Sequence, residues 1–255
     1  MKFVAVIPAH MASVRFPGKI LHLIHGLPMI EHVRRRALMC PDLSKVYVAT
    51  CDKEIAEKIL EYGGDVILTS KNHKNGTTRV AEAIQDIPCS HVLLLQGDEP
   101  LILPRHISSI ISAIKEQPLG DAWNATGSLI DLSELDKHSF VKCIISKSGK
   151  ILHCCRRSSG FSNFEVQREF TRKILGIIAY QKDFLIALSK MNQSPIETAE
   201  FIEQMRILEN DFHLQSVSVE PSLPSVNEPD EVSAVLSFIE NDKEQTFLLK
   251  SILEG

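Results

Sequence analysis

Long apolar runs are missing from this 255-residue chain. None reaches the roughly 18 to 20 residues of a membrane-spanning helix, and the run at residues 3–7, behind a single lysine, is too short for a signal peptide. These absences set the expectation of a cytoplasmic chain with no membrane partner. An excess of one charge is missing too, since 28 Lys and Arg stand against 32 Asp and Glu for a formal net charge of -4. That balance gives no general attraction to nucleic acid, so a phosphate site has to be a local gathering of cations and the partner a small molecule. Cys40, Cys51, Cys89, Cys143, Cys154 and Cys155 contain neither a C-x-x-C pair nor a Cys/His spacing suited to zinc. They are expected to be reduced thiols, in the core or at the surface. Internal repeats and low-complexity linkers are also missing.

What the chain does have is an ordinary globular composition, 44% hydrophobic and 24% charged, enough to bury a core. The length admits one large domain or two small ones, and the reading is one domain over residues 1–255. Residues 1–19, MKFVAVIPAHMASVRFPGK, organise it. Residues 3–7 are a short β-branched run ended by Pro8, the pattern of a strand buried on both faces of a parallel sheet. A loop leaving the carboxyl end of such a strand lies where open α/β sheets bind ligands, and Arg15 and Lys19 bring charge for a polyphosphate. Neither G-x-G-x-x-G nor G-x-x-x-x-G-K-[ST] fits here, so side-chain cations have to carry more of the contact. Taken alone, the stretch reads equally as a surface loop with two solvated charges.

Strand and helix signals then alternate. Residues 30–39 have helical spacing, with Arg34, Arg35 and Arg36 expected on the wet side. KVYVAT at 45–50 reads as a strand, 53–62 as a helix stopped by Gly63-Gly64, and DVILT at 65–69 as a strand. KNGTTR at 74–79 reads as a polar loop ahead of a helix at 80–86, and HVLLL at 91–95 as a strand running into Gln96-Gly97-Asp98-Glu99-Pro100. The β-α-β order predicts a mostly parallel sheet with helices on both faces. Asp98, released from the end of a buried strand by Gly97, is well placed to hold Mg2+ against nucleotide phosphates, although aspartates in such turns also cap backbone. Further on, 123–129, 143–146 and 151–154 read as strands, 148–150 as a hairpin turn, 158–173 as a polar loop, 197–210 as a helix, 215–219 as a strand and 229–241 as a terminal helix.

The segments IPAHMASVRFPGK, GLPMIEHV, VYVAT, GGDVILTS, NGTTRVAEAI, LLLQGDEPLI, Val141-Lys142, Cys155-Arg156, LGIIAY, SPIETAEFIEQMRIL and VNEPDEV give the chain a resemblance to the CMP-Kdo synthetases, the 3-deoxy-manno-octulosonate cytidylyltransferases. LGIIAY with the E-x-x-E-Q-x-R-x-L helix carries it most specifically. The resemblance implies a Rossmann-like α/β fold of the nucleotide-diphospho-sugar transferase type, with residues of about 123–180 contributing a sugar pocket and a β-rich dimerisation region. It implies a homodimer that joins CTP and the sugar acid Kdo into CMP-Kdo with release of pyrophosphate, for lipopolysaccharide precursor synthesis. By similarity Arg15, Lys19 and Asp98 are catalytic, and Pro8, Ala9, His10, Asn75, Gly76, Arg79 and Gln96 join them around the nucleotide. Asp98 and Asn227 would hold Mg2+. Gln96, Lys142, Arg156, Tyr180, Glu200 and Gln204 would form the sugar pocket.

Plainer readings stand beside these: Tyr180 as a sheet residue in the core, and Glu200, Glu203, Gln204 and Arg206 as surface pairs. Four positions depart from the family pattern. His10 stands for an Arg, Asn227 for an acidic metal ligand, Cys51 for an acidic residue and Ile174 for a His. A neutral imidazole and an uncharged amide are weaker partners for phosphate and Mg2+. A different sugar acid, or nucleotide binding without turnover, are the alternatives these departures leave.

Overall fold

The computed structural model describes residues 1–131, 133–158 and 163–254. They fall into two compact units, Met1–Ser108 with Leu223–Gly255, and Ser109–Ser222. The division lies within the helix Pro104–Glu116.

In the first unit β1 (Phe3–Ala9) is central and nearly all buried. A short hairpin follows, β2 (Leu23–Ile24) with β3 (Leu27–Pro28). β4 (Lys45–Thr50) and β5 (Asp65–Leu68) extend the sheet on one side of β1 and β6 (His91–Leu95) on the other, all parallel, in the order β6-β1-β4-β5. β1 runs two residues past its expected end, through Pro8. Its pairing with β6 stops at Val6, while pairing with β4 continues to Ala9, so Pro8 sits where one side of the ladder has already ended.

The helices Met29–Leu38, Lys53–Glu61 and Gly76–Ala83 pack on these strands. Gly76–Ala83 begins four residues before its expected start, because Asn75 caps it: the side-chain oxygen accepts Thr78 N–H at 2.9 Å. The expected wet face of Met29–Leu38 is not wet. Arg34 is buried in a two-pronged pair with the buried Glu31, at 2.6 and 2.7 Å, and Arg36 donates to Gln245 at 2.7 Å. The cause is the helix Lys243–Glu254, unexpected from sequence, which covers that side through Gln245 and Ile252. The terminal helix expected at 229–241 is a 3₁₀ turn, Pro229–Glu231, followed by Val232–Asn241.

The second unit is built on β7 (Ala122–Gly127), β8 (Lys142–Ile145), β9 (Ile151–Cys155), β10 (Thr171–Gln181) and β11 (Leu214–Ser218). β7 lies between β11, parallel to it, and β10, antiparallel; β8 pairs with both β10 and β9, antiparallel. The β8–β9 hairpin closes at Gly149, whose φ of +80° suits a residue without Cβ. Residues 164–170 of the expected polar loop are the helix Phe164–Phe170, capped by Asn163, and residues 171–173 begin β10. The part of that loop at 159–162 lies outside the described residues. The helix expected at 197–210 is two, Pro195–Glu200 and Gln204–Glu209, parted by Phe201 in the left-handed region at φ +55°.

All six cysteines are free thiols, as expected. Burial pushes Cys143 up to about 12 and raises Cys154 well above the ordinary thiol value, so both stay protonated.

His32 is fully buried, with Nε2 2.8 Å from the Ile24 carbonyl, and burial lowers its pKa to about 4. The unfolded chain protonates it near 6.5. As pH falls from about 6.5 to 4 the unfolded state therefore binds the extra proton, and stability drops by about 1.4 kcal/mol per pH unit from this residue alone. Urea unfolding across that window should show a shallower fall for His32→Gln than for the native chain.

Candidate active site

The loop after β1 carries its cations to two carboxylates in the first unit. Lys19, following Gly18 at φ +72°, places its ammonium 2.5 Å from Asp98 Oδ2 and 3.1 Å from the Val226 carbonyl. Val226 N–H in turn donates to the Asp98 carbonyl at 2.9 Å. Arg15 donates to Glu228 at 3.1 Å and to Asn227 Oδ1 at 3.4 Å. Arg15, Lys19, Asp98 and Asn227, selected from sequence, are thus brought together, and Glu228 joins them.

Beside them is a cavity of about 470 Å³, lined among others by Pro8, His10, Asn75, Gly76, Arg79 and Gln96, with Lys71 and Lys74 adding charge. Arg79 is buried and held by Thr69 Oγ1 at 2.6 Å and the Ser70 carbonyl at 3.3 Å. A Cβ at Gly76 would stand 3.0 Å from Pro8 Cγ, close enough that the proline ring would have to give. Of the expected nucleotide residues, Pro8, His10, Asn75, Gly76, Arg79 and Gln96 line this cavity, and Ala9 is buried in β1. Burial, then the Arg79 charge, lower the pKa of His10, with Asp52 opposing. The lowered pKa leaves His10 a neutral imidazole at pH 7.

Sequence reasoning passed over Cys51, Asp52, Lys71, His73 and Lys74 as members of the cavity wall. His73 is fastened to Thr78 Oγ1, at 3.2 Å, and to Glu82. The spacing from His73 to Glu82 crosses a loop and a helix start, so no helical periodicity announces it.

A hard cation suits the oxygen set of Asp98, Asn227 and the Val226 carbonyl, and Lys19 shows that positive charge settles between the first and the last. Among the described residues no three His, Cys, Asp or Glu side chains gather to hold a metal ion by themselves. These residues could offer Mg2+ one carboxylate with neutral oxygens, leaving positions for water and phosphate oxygens.

In the second unit the sugar-site candidates fare unevenly. Lys142 is fully buried, with its ammonium on the carbonyls of Lys137, at 2.6 Å, Phe140, at 3.3 Å, and Arg156. Burial lowers its pKa. Lys142 ties these segments together. Tyr180 is buried in β10, as the plainer reading had it. Arg156 is half-buried and reaches the carbonyls of Glu200, His138 and Phe201, while its N–H donates to the Glu200 carboxylate at 3.4 Å. Gln204 donates to Asn124 Oδ1 at 3.0 Å.

Asn124 was not singled out from sequence. The β10–β7 register shifts between Ile174 and Ile178, and the buried Asn124 amide fills that bulge by donating to the Leu175 and Ile177 carbonyls. LGIIAY is thus a bulged strand, and Asn124 ties it to Gln204. The one available signal was an asparagine in the apolar strand WNAT, where a buried amide has to find partners. Arg206 is no surface residue. It forms a buried two-pronged pair with Glu197, one prong at 2.7 Å.

The cytidylyltransferase family model matches residues 4–216. The chain belongs to the cytidylyltransferase family. Among its relatives is the 3-deoxy-manno-octulosonate cytidylyltransferase of Geobacter metallireducens, 35% identical over 92% of this chain and 97% of the relative. The enzyme of the same name from Fusobacterium nucleatum is 33% identical over 95% of this chain and 98% of its own. A solved CMP:2-keto-3-deoxy-manno-octonic acid synthetase complexed with CTP has a TM-score of 0.88 at 30% identity, covering 94% of this chain and 99% of that one. This cytidylyltransferase therefore shares fold and nearly full length with nucleotidyltransferases of that kind.

Removing Glu197 leaves the buried Arg206 guanidinium with the Leu188 carbonyl at 3.4 Å and only the weaker influence of Glu203. Glu197→Ala is expected to cost about 3 to 5 kcal/mol of unfolding free energy, as breaking a buried pair does. Denaturant unfolding measures it, and a loss under about 1 kcal/mol would show that the pair contributes no more than a surface one.

Proposed function

We propose that this cytidylyltransferase activates Kdo, or a close 3-deoxy sugar acid: the anomeric hydroxyl attacks the α-phosphate of CTP, forming the CMP-sugar and releasing pyrophosphate. The observation that carries the reading is the gathering of Arg15, Lys19 and Asp98 beside a cavity that Arg79 lines, in a chain 35% identical to a synthetase of that specificity. A homodimeric state, a cytoplasmic location and the supply of a lipopolysaccharide precursor belong to the same reading. Among the described residues no helix is long and apolar enough to cross a membrane.

Phosphoryl transfer of this kind asks the protein chiefly for positioning and charge. Lys19 and Arg15 are the proposed holders of the β- and γ-phosphates. Lys19 and Asp98 neutralise one another and Arg15 leans on Glu228. A triphosphate exchanges these partners like for like, so neither cation has to be stripped of an anion without receiving another. Mg2+, held by Asp98 with Asn227, would supply charge compensation at the transferred phosphate. Arg156, Glu200 and Gln204, all in the second unit, are the proposed contacts of the sugar acid.

Pyrophosphate release with CTP, UTP or ATP and Kdo tests the reading. Turnover is expected with CTP, because a site that hydrogen-bonds the cytosine amino and ring-nitrogen positions leaves those groups unpaired against uracil. Equal turnover of UTP and CTP at equal concentration would overturn the nucleotide assignment. Asp98→Asn should lower turnover roughly 10²-fold or more by removing charge at the transition state, with the folded state retained by circular dichroism. Near-native activity with unaltered metal dependence would remove Asp98 from the reaction.

A further inference from the structure

Asp52 stands where a helix cap belongs and is used elsewhere. It is the N-cap of Lys53–Glu61, with the extended backbone usual there, φ -97° and ψ 120°, yet its side chain makes no capping hydrogen bond. Its Oδ2 instead accepts the backbone N–H of Met11 at 2.9 Å, and the Cys51 thiol lies 3.8 Å from the same oxygen. A preferred capping residue that leaves its own helix uncapped has given up stability that its position makes readily available. The contact it makes instead is with the loop that carries Arg15 and Lys19.

Met11 is the knot of that loop. Its N–H is held by Asp52, and its carbonyl accepts the N–H groups of Ser13, at 2.9 Å, and Gly18, at 3.2 Å. The second bond closes the loop on itself one residue before Lys19. Gly18 can close it because its φ of +72° is open to a residue without Cβ. One line of contacts therefore runs from the Asp52 carboxylate through Met11 and Gly18 to the Lys19 ammonium on Asp98. Asp52 also lines the cavity wall with His10 and Arg79.

We propose that Asp52 is a positioning residue for the triphosphate: by lending its carboxylate to Met11 rather than to its own helix, it fixes the loop and, through Gly18, sets where Lys19 meets the phosphates. The ligand named here rests on the functional reading above, while the hold on the loop does not.

Substitution at one position separates this role from a plain structural one. Serine is as good an N-cap as aspartate, but its oxygen sits one atom closer to the backbone and falls short of Met11. In nucleotide-free Asp52→Ser, hydrogen exchange at the Met11 and Gly18 amides should quicken about tenfold, the equivalent of one lost hydrogen bond. The unfolding midpoint should hold or rise, because the helix gains its cap. The Kd for CTP, measured by calorimetry, should weaken about tenfold or more. Asp52→Asn keeps an oxygen for Met11 and should return both readouts to within about threefold of native.

Unchanged exchange at Met11 and Gly18 in Asp52→Ser overturns the proposal. So does unchanged CTP affinity beside quickened exchange, since the loop's fixing would then not serve the phosphates. An Asn variant as impaired as the Ser variant overturns it too, because the carboxylate's charge and not the Met11 bond would be at work. A native chain that binds no CTP overturns the functional reading instead, and the exchange rates still decide whether Asp52 holds the loop.

Discussion

Much of the first unit's site hangs on the ammonium of Lys19. It joins three stretches far apart in the chain: its own loop, the turn after β6 through Asp98, and the returning segment through the Val226 carbonyl. The backbone bond from Val226 to Asp98 fastens the last two a second time. Lys19 and Asp98 are only 13% and 23% exposed, so their attraction is less screened than that of a surface pair. An ammonium with three donors can hold a carboxylate and a carbonyl at once, where a neutral side chain would leave Asp98 half-buried without a counter-charge.

Charges conspicuous in the sequence and charges that serve the site are different sets. Arg34 and Arg36 stand in the most basic stretch of the chain and are structural, one paired with Glu31 and the other with Gln245. Arg206 closes a buried pair with Glu197. Asn124 carries no charge, yet it shapes the bulge of β10 and reaches Gln204. Local composition reports how many polar groups a segment has, while burial and partner geometry decide what they do.

The strands were legible for the same reason the helices were less so. β6 falls on its expected residues because a strand buried on both faces is a near-continuous apolar run, and β4 does so too although Lys45 is exposed. The parallel order followed from alternation with helices. The start of Gly76–Ala83 was displaced by an Asn75 cap, and the break at Phe201 is a left-handed turn at a residue that gives no warning of it. The covering of Met29–Leu38 depends on Gln245 and Ile252, more than two hundred residues away, a separation that no local window spans. At the site, the family motifs pointed to Arg15, Lys19, Arg79 and Asp98. The burial of Lys142 was not legible, because its three carbonyl partners are brought to it by the β8–β9 hairpin and the turn before it.

The first unit is discontinuous, made of Met1–Ser108 and Leu223–Gly255 with the whole second unit between. On a ribosome this imposes an order. The contiguous second unit leaves the exit tunnel entire while the first still lacks Val226, Gln245 and Ile252. Until they emerge, the nascent chain shows solvent the side of Met29–Leu38 that Lys243–Glu254 will cover, and the apolar cluster around Ile24, Met29 and Leu101 waits for Val226, Val235 and Ile239. Domains generally complete as units during synthesis, and here the unit begun first is the one finished last. The Lys19–Asp98 pair lies within the part made first, while the Val226 carbonyl reaches Lys19 only with the returning segment, so a holding factor that shields apolar surface has its longest window on the amino-terminal half.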